Sequence, residues 1–571
     1  MFAATFRYAR ERLLCEAAGG VPPGAPELAV PRVRIALLLR GRVAGSGEGV
    51  SDGAGSGPPV VRALEAAIRD AKERAPAAVD ALQERAALES WREMLVLVEL
   101  GGEPIAVQPA AYSELDSLVR PGLDGLVVEV GGSDRTVFPV QMVMQAAAPS
   151  KAAVGAISVL TGDPTAAMPG VPGKEAPDLT RDRRLRLSRF RSEARVQLRP
   201  GGEPVAVVRA ARVVGQAEVS LASLRDLRER LSGHLASRRV VVDGRPTLLA
   251  SYVPFQDRWQ GEASLLQLAI GADALARCGG AARDAARDLL AGALAGPASP
   301  LGVEGDPLTS AALLVAISDA AGGDGWHELA WVTETARLCA GRVRPAFGDG
   351  AWSADVPPGA RGIIALALTR LSRHPALAGA REEADEALAE AALAALLRET
   401  TPEAVLGQSP WLGWAMLESS GAADVHGAPL LREARSLLWE RQLGAPDAAV
   451  VGPDAVGGVL FAGESVPGWQ CARPVALAAA MLGETRLTDP ADRMREIVRL
   501  TVAMRFLRQL CLDESSAPLC PDFQSAAWGA RASLWDQRQT LESCSGVLLA
   551  VDAVVDALES LTPAPATQPG G

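Results

Sequence analysis

Histidine is scarce in this chain, with four residues in 571: His234, His327, His374 and His426. None has a second ligand at i+4, and no His/Cys cluster has zinc spacing, so no metal site and no cofactor are expected. GxGxxG is missing, as is GxxxxGK followed by Ser or Thr, which removes the usual dinucleotide and phosphate cradles. No GxSxG nucleophile elbow occurs. The seven cysteines are odd in number and fall mostly in apolar stretches; the closest pair, Cys511 and Cys520, lacks CxxC spacing. Free thiols in a reducing compartment follow. The N-terminus has scattered arginines and no uninterrupted apolar core, and no apolar run is long enough to span a bilayer, so the cytoplasm is the expected location. Charge of one sign is also weak: 57 Lys+Arg against 68 Asp+Glu gives a net charge of −11. That balance supplies no pull toward nucleic acid or anionic membrane.

What is present is globular: 48% hydrophobic and 22% charged residues, in a chain too long for one core. Residues 1–160 read as α+β. RVRIALLLR, MLVLVEL and GLVVEV are strand-like, and GLVVEV enters the turn GGSD and leaves as RTVF, a hairpin. Val61, Leu64 and Ile68 mark a helix after Pro58-Pro59. Residues 41–59, rich in Gly and Ser, read as a flexible loop, and 161–180 as a Pro/Gly-rich linker. GGEPIAV at 101–107 recurs as GGEPVAV at 201–207, and strand-like runs around the second copy suggest a small β-containing module at 181–255. Within it, RDRRLRLSRFRSEAR reads as an edge strand with a charged outer face.

From 256 to 561 the strands stop. Eleven helical segments alternate with Gly/Pro breaks, some one-sided and others, such as GIIALALTRL, apolar nearly all round. A helix without a polar face has neighbours on both sides, so a double-layered array of α-helical hairpins is expected, an α/α toroid. Residues 562–571 read as a disordered tail.

Tryptophan is the one abundant aromatic, with 11 residues, most of them after residue 250. Loops at hairpin boundaries place Trp beside charge: Asp324 near Trp326, Asp349 near Trp352, Glu464 and Arg473 around Trp469, and Asp536 and Arg538 next to Trp535. Alternate boundaries open on the same end of a ring, so Trp326, Trp352, Trp469 and Trp535 are expected near one mouth. Indole faces stack on sugar rings. Asp324, Glu464 and Asp536 are the candidate acids and bases, with the four Trp, Arg473 and Arg538 as ligand contacts.

The segment 114–143 resembles the end of the AMMECR-type domain, the family of AmmeMemoRadiSam system protein A. Arg120, Pro121, Gly122, Asp124, Gly125, Gly131, Gly132, Phe138 and Pro139 match, as do Glu103-Pro104-Ile105 upstream. Leu39-Arg40-Gly41 stands where that family carries LRGCIG, but its cysteine is replaced by Arg42. The resemblance spans about 28–150. It implies an α+β fold and, with the cysteine lost, a structural or protein-docking role. The helical half is similar to α/α-toroid proteins at the level of fold. Two readings of function follow. One is a non-catalytic protein that binds a ligand or partner, with a carbohydrate or other polyol and a protein as the ligand classes. The other is a carbohydrate-active enzyme using paired carboxylates in the toroid cavity.

Overall fold

The computed structural model describes the chain outside residues 19–22, 25, 27–29, 52–57, 75–88, 296–305, 323–324, 421–424, 462, 465 and 562–571. The expected C-terminal tail and part of the 41–59 segment therefore lie outside the described residues. No single described helix is long and apolar enough to cross a membrane.

The N-terminal half is built on one mixed-length antiparallel sheet. Its strands are β1 (Arg32–Leu39), β2 (Arg42–Val50), β3 (Leu95–Gly101), β4 (Ile105–Val107), β5 (Asp124–Val130), β6 (Ser133–Val137), β7 (Arg186–Gln197) and β8 (Pro204–Val207). The main order is β2-β1-β3-β7-β5-β6, with β4 and β8 also paired to β7. The β5–β6 hairpin turns on Gly131 and Gly132, both at positive φ, as GGSD predicts. Helices α1 (Phe2–Ala18) and α2 (Pro59–Arg74) cover one end of the sheet through Phe6, Leu13, Ile35 and Ile68.

Four expectations need correction. Residues 42–50 are a strand, not a loop. Gly45, Gly47 and Gly49 alternate toward α2, where any Cβ would collide with main-chain oxygens of Ala67, Ala63 and Pro59. The glycines permit close approach of helix and strand. The run 186–197 is central, not an edge: β7 bonds to β3, β5, β4 and β8. Its arginines are tolerated because Arg189 and Arg191 reach Asp124 and Arg186 reaches Glu129. The region 181–255 is thus divided, with β7 and β8 in the N-terminal sheet and the rest elsewhere. The GGEP echo is structural, since both copies lead into short strands that pair with successive parts of β7. The 161–180 stretch is also packed, with Ala166, Ala167, Ala176 and Leu179 buried in the same core as Leu126 and Ile157.

The helical half is a closed ring. Outer helix α3 (Leu221–Ser237) is followed by inner α4 (Leu265–Arg277), and the alternation continues through α5 (Gly280–Leu294), α6 (Pro307–Ala320), α7 (Ala330–Val343), α8 (Arg361–Arg373), α9 (Asp385–Glu399), α10 (Trp411–Ser419), α11 (Ala428–Glu440), α12 (Ala472–Gly483), α13 (Arg493–Leu510) and α14 (Leu541–Leu561). Each inner helix packs on the next, α4–α6–α8–α10–α12–α14, and α14 returns to α4. Six hairpins close the circle, and the first outer helix comes from residues expected to belong to the small β-containing module. Inner helices are apolar around most of their circumference; in α6 nearly every residue from Thr309 to Ala320 is buried.

The two halves share a core. Ala36, Leu38, Leu97 and Val196 of the sheet pack with Leu512, Leu519, Cys520 and Ala526 from the crossing between α13 and α14. The Arg40-Gly41 turn, with both residues at positive φ, abuts the Cys520 carbonyl so closely that Gly41 has no room for a Cβ. Arg209 bonds Asp454 at 2.5 Å, both fully buried, and Arg505 donates to the carbonyls of Val214, Pro453 and Val456.

Candidate functional site

Alternation makes all six inner helices run in one direction. Segments that precede them form one end of the ring, and segments that follow them form the other. This separates the tryptophans expected at a common mouth. Trp352, Trp469 and Trp535 precede α8, α12 and α14 at the amino end, whereas Trp326 follows α6 at the carboxyl end. There Trp326 meets Trp331 edge-on at 5.5 Å. Trp535 packs into the cores of the N-terminal half. Its neighbours Asp536 and Arg538 pair with each other at 2.5 Å. Glu464 accepts from the Phe461 amide at 3.2 Å, and Asp324 lies outside the described residues.

The amino end nevertheless keeps a polar rim containing three of the expected residues. Arg473, in the first turn of α12, lays its guanidinium 4.4 Å over the ring of Trp411 and donates Nε to the Ser409 carbonyl at 2.8 Å. It has no carboxylate partner among the described residues, and burial alone lowers its pKa to about 10. Arg361, at the start of α8, lies 5.8 Å from the ring centre of Trp352. Next to it, Gly362 abuts Gln408 and Leu412, which joins this pair to the Trp411 and Arg473 side. Trp469 lies one turn before Arg473 and packs against Gly546 of α14. Four buried polar atoms on this rim lack a partner: Trp352 Nε1, Arg361 Nε, Gln408 Oε1 and Trp411 Nε1. Trp411 is only 9% exposed and Gln408 only 7%. Each such group costs about 1–3 kcal/mol; others occur elsewhere in the fold, Arg277 Nε and Arg493 Nε among them, and the rim is where four gather beside a free guanidinium fork.

A second polar constellation, on the ring axis, was not found from sequence. Asp273 and Arg277 come from α4, Asp319 from α6, Arg370 from α8, and Trp414 and Glu418 from α10. Helices α4 and α10 lie opposite each other, yet Arg277 stacks 4.0 Å over Trp414, so the cluster crosses the axis. Asp319 lies 2.7 Å from Arg370 and 3.4 Å from Arg277, and Arg370 also bonds Glu418 at 2.8 Å and Ser318 Oγ at 2.9 Å. Asp273, only 2% exposed, hydrogen-bonds Asp319. Burial, together with the charge of Asp319, pushes the Asp273 pKa well up, so it carries the proton of the pair. Burial opposes ionisation of Asp319 too, but Arg370 and Arg277 hold it well below the usual carboxylate range. Two arginines balance two carboxylates, and the fifth group is neutral. The signal was in the sequence: Asp319 is the one charge of α6, and Asp273 and Arg370 interrupt apolar stretches of α4 and α8, and buried charges must be paired.

Among the described residues no group of three or more His, Cys, Asp or Glu could hold a metal ion. Cys278, Cys339, Cys471, Cys511, Cys520 and Cys544 are free thiols.

No family model and no curated protein matches the chain. Among solved structures, an uncharacterised protein from Pyrococcus horikoshii aligns at 18% identity and a TM-score of 0.27, over 36% of this chain and 95% of that one. The GH76A α-1,6-mannanase of a Salegentibacter species aligns at 13% identity and 0.41, over 58% and 99%. An inactive variant of that enzyme, in complex with α-1,6-mannotriose, gives 13% and 0.40 over the same shares. At these TM-scores none bears on what the chain binds or does; the ring rests on its own helix contacts.

Proposed function

We propose that this chain is a non-catalytic ligand-binding protein whose site is the rim at the amino ends of the inner helices. The single observation that carries this reading is the set of buried, unpartnered polar atoms on Trp352, Arg361, Gln408 and Trp411 beside Arg473. Indole faces next to unpaired polar groups suit a carbohydrate or other polyol, whose C–H faces stack and whose hydroxyls bond. The α+β half, with its AMMECR-like pattern, serves as a fixed docking module. Its Arg40-Gly41 turn, the counterpart of LRGCIG, is seated against Cys520 of the ring.

A glycan-cleaving reading draws no comparable support. Acid–base cleavage asks for two carboxyl groups roughly 5–10 Å apart with substrate between them. Asp273 and Asp319 bond each other instead, and Asp319 is clamped by two arginines. Isothermal titration against a panel of oligosaccharides tests the proposal. A saturable heat is expected, weakened about tenfold, or ~1.4 kcal/mol, by Trp352→Ala. Binding that is indifferent to Trp352→Ala and Trp411→Phe would move the site elsewhere. Turnover of a glycan, abolished by Asp319→Asn in a folded protein, would replace binding with catalysis.

A further inference from the structure

We infer that the ligand of this rim is a sugar acid, a polyol bearing a carboxylate that seats on Arg473. The inference rests on the rim reading and adds the charge of the ligand. It follows from counting donors and acceptors. Trp352 Nε1, Trp411 Nε1 and Arg361 Nε are donors that cannot accept, and all three are buried without a partner. Arg473 adds the terminal amino groups of its fork, since only its Nε is engaged. Against these stands one free acceptor, Gln408 Oε1. A neutral hydroxyl donates as well as accepts and would leave this excess unmatched, whereas a carboxylate only accepts, through two oxygens in the geometry that a guanidinium fork fits.

Charge points the same way. The two guanidiniums of the axial cluster face carboxylates, Arg370 facing Asp319 and Glu418 and Arg277 facing Asp319, while the buried Arg505 and Arg531 have several carbonyls each in place of an anion. Arg361 is paired through its terminal nitrogen with Glu399 at 3.3 Å, leaving only Nε. Arg473 has a ring face on Trp411 and a carbonyl on Nε, with no anion. A half-buried cation with one carbonyl and no counter-charge is under-compensated, and an incoming carboxylate supplies what is missing. Trp411 under the guanidinium fixes its plane, so the fork is ordered before the ligand arrives.

The test is isothermal titration of the full chain with digalacturonate and with its dimethyl ester, which keeps the rings and removes the charge. Digalacturonate is expected to bind at least tenfold more tightly than the ester. Arg473→Met should erase that preference, and Arg473→Lys, which keeps charge but loses the fork, should retain only part of it. Thermal melts of both variants establish folding, and the Lys variant carries the test if the Met variant does not fold. Equal binding of acid and ester, or an acid preference that survives Arg473→Met, overturns the sugar-acid inference and leaves the rim reading standing. Binding of neither compound overturns both.

Discussion

Two aspartates that touch each other on the ring axis should respond in opposite ways to the same substitution. Asp319→Asn removes the one full charge that faces both Arg370 and Arg277. Arg370 is only 5% exposed, and stripping a partner from a buried pair costs about 3–5 kcal/mol. Glu418 still reaches Arg370 from a half-exposed position, which places the loss near ~3 kcal/mol. Asp273→Asn is different. Asp273 holds the shared proton, so Asn is its neutral isostere and its amide can donate to Asp319 as the acid does. A change below ~1 kcal/mol is expected for such a swap. Acidity separates them further. Above the ordinary carboxylate pKa the unfolded chain releases the Asp273 proton while the folded chain keeps it. The wild type therefore loses stability as pH rises toward the raised folded value, by about 1.4 kcal/mol per pH unit. Asp273→Asn lacks this loss, so its stability relative to wild type should climb from pH 5 to pH 7. Asp319 has a depressed pKa; its contribution is present above the ordinary value and fades on acidification. Guanidinium unfolding followed by far-UV circular dichroism at pH 5, 6 and 7 reads both effects. Equal costs for the two variants, or a wild-type–Asp273→Asn difference that does not move with pH, would refute the assignment of the proton.

Gly47→Val should destabilise by about 1–3 kcal/mol, because its side chain would overpack against the α2 backbone; an unchanged denaturation midpoint would mean that the segment behaves as a loop after all. Residues 256–561 expressed alone should aggregate, since they lack outer helix α3 and expose Leu512, Leu519 and Ala526; a monomeric, cooperatively melting fragment by gel filtration and circular dichroism would show that the shared core is dispensable. Cys339, Cys471, Cys511 and Cys520, whose thiols burial pushes up to about 12, should resist a disulfide reagent at pH 8 in the folded chain and react only in denaturant; rapid native labelling of any of the four counts against their burial.

The hairpin at 124–137 was legible because Gly-Gly supplies the positive φ that its turn demands, and the helical half because breaks and all-round apolar helices alternate. Segment 42–50 misled by composition: Gly and Ser suggest a linker, while the spacing of Gly45, Gly47 and Gly49 by two is a strand signal. β7 misled in the opposite way, since alternating arginines suggest an exposed edge and nothing local reveals Asp124 and Glu129 on the neighbouring strand. Of the candidate site, Trp352, Trp469 and Arg473 fall at one end of the ring. Trp326 does not, because it follows an inner helix instead of preceding one. Trp411 and Gln408 were missed because no charge stands beside them in sequence. The axial cluster draws on four helices far apart in the chain, so only charges interrupting apolar stretches could have flagged it.

The ring is shut by α14, which wedges between α12 and α4 and carries α3 on its outer side. A chain emerging from the ribosome makes α4 early and α14 after every other hairpin. Until residues 541–561 are out, the ring has an open seam whose two lips are the apolar flanks of α4 and α12. Closing it joins segments more than two hundred residues apart, a non-local step whose entropy is offset only when the final contacts form. Nascent chains stalled before residue 541 should therefore be the species most prone to misassembly and the most dependent on chaperones, whereas the N-terminal sheet, complete by residue 207, has no such wait.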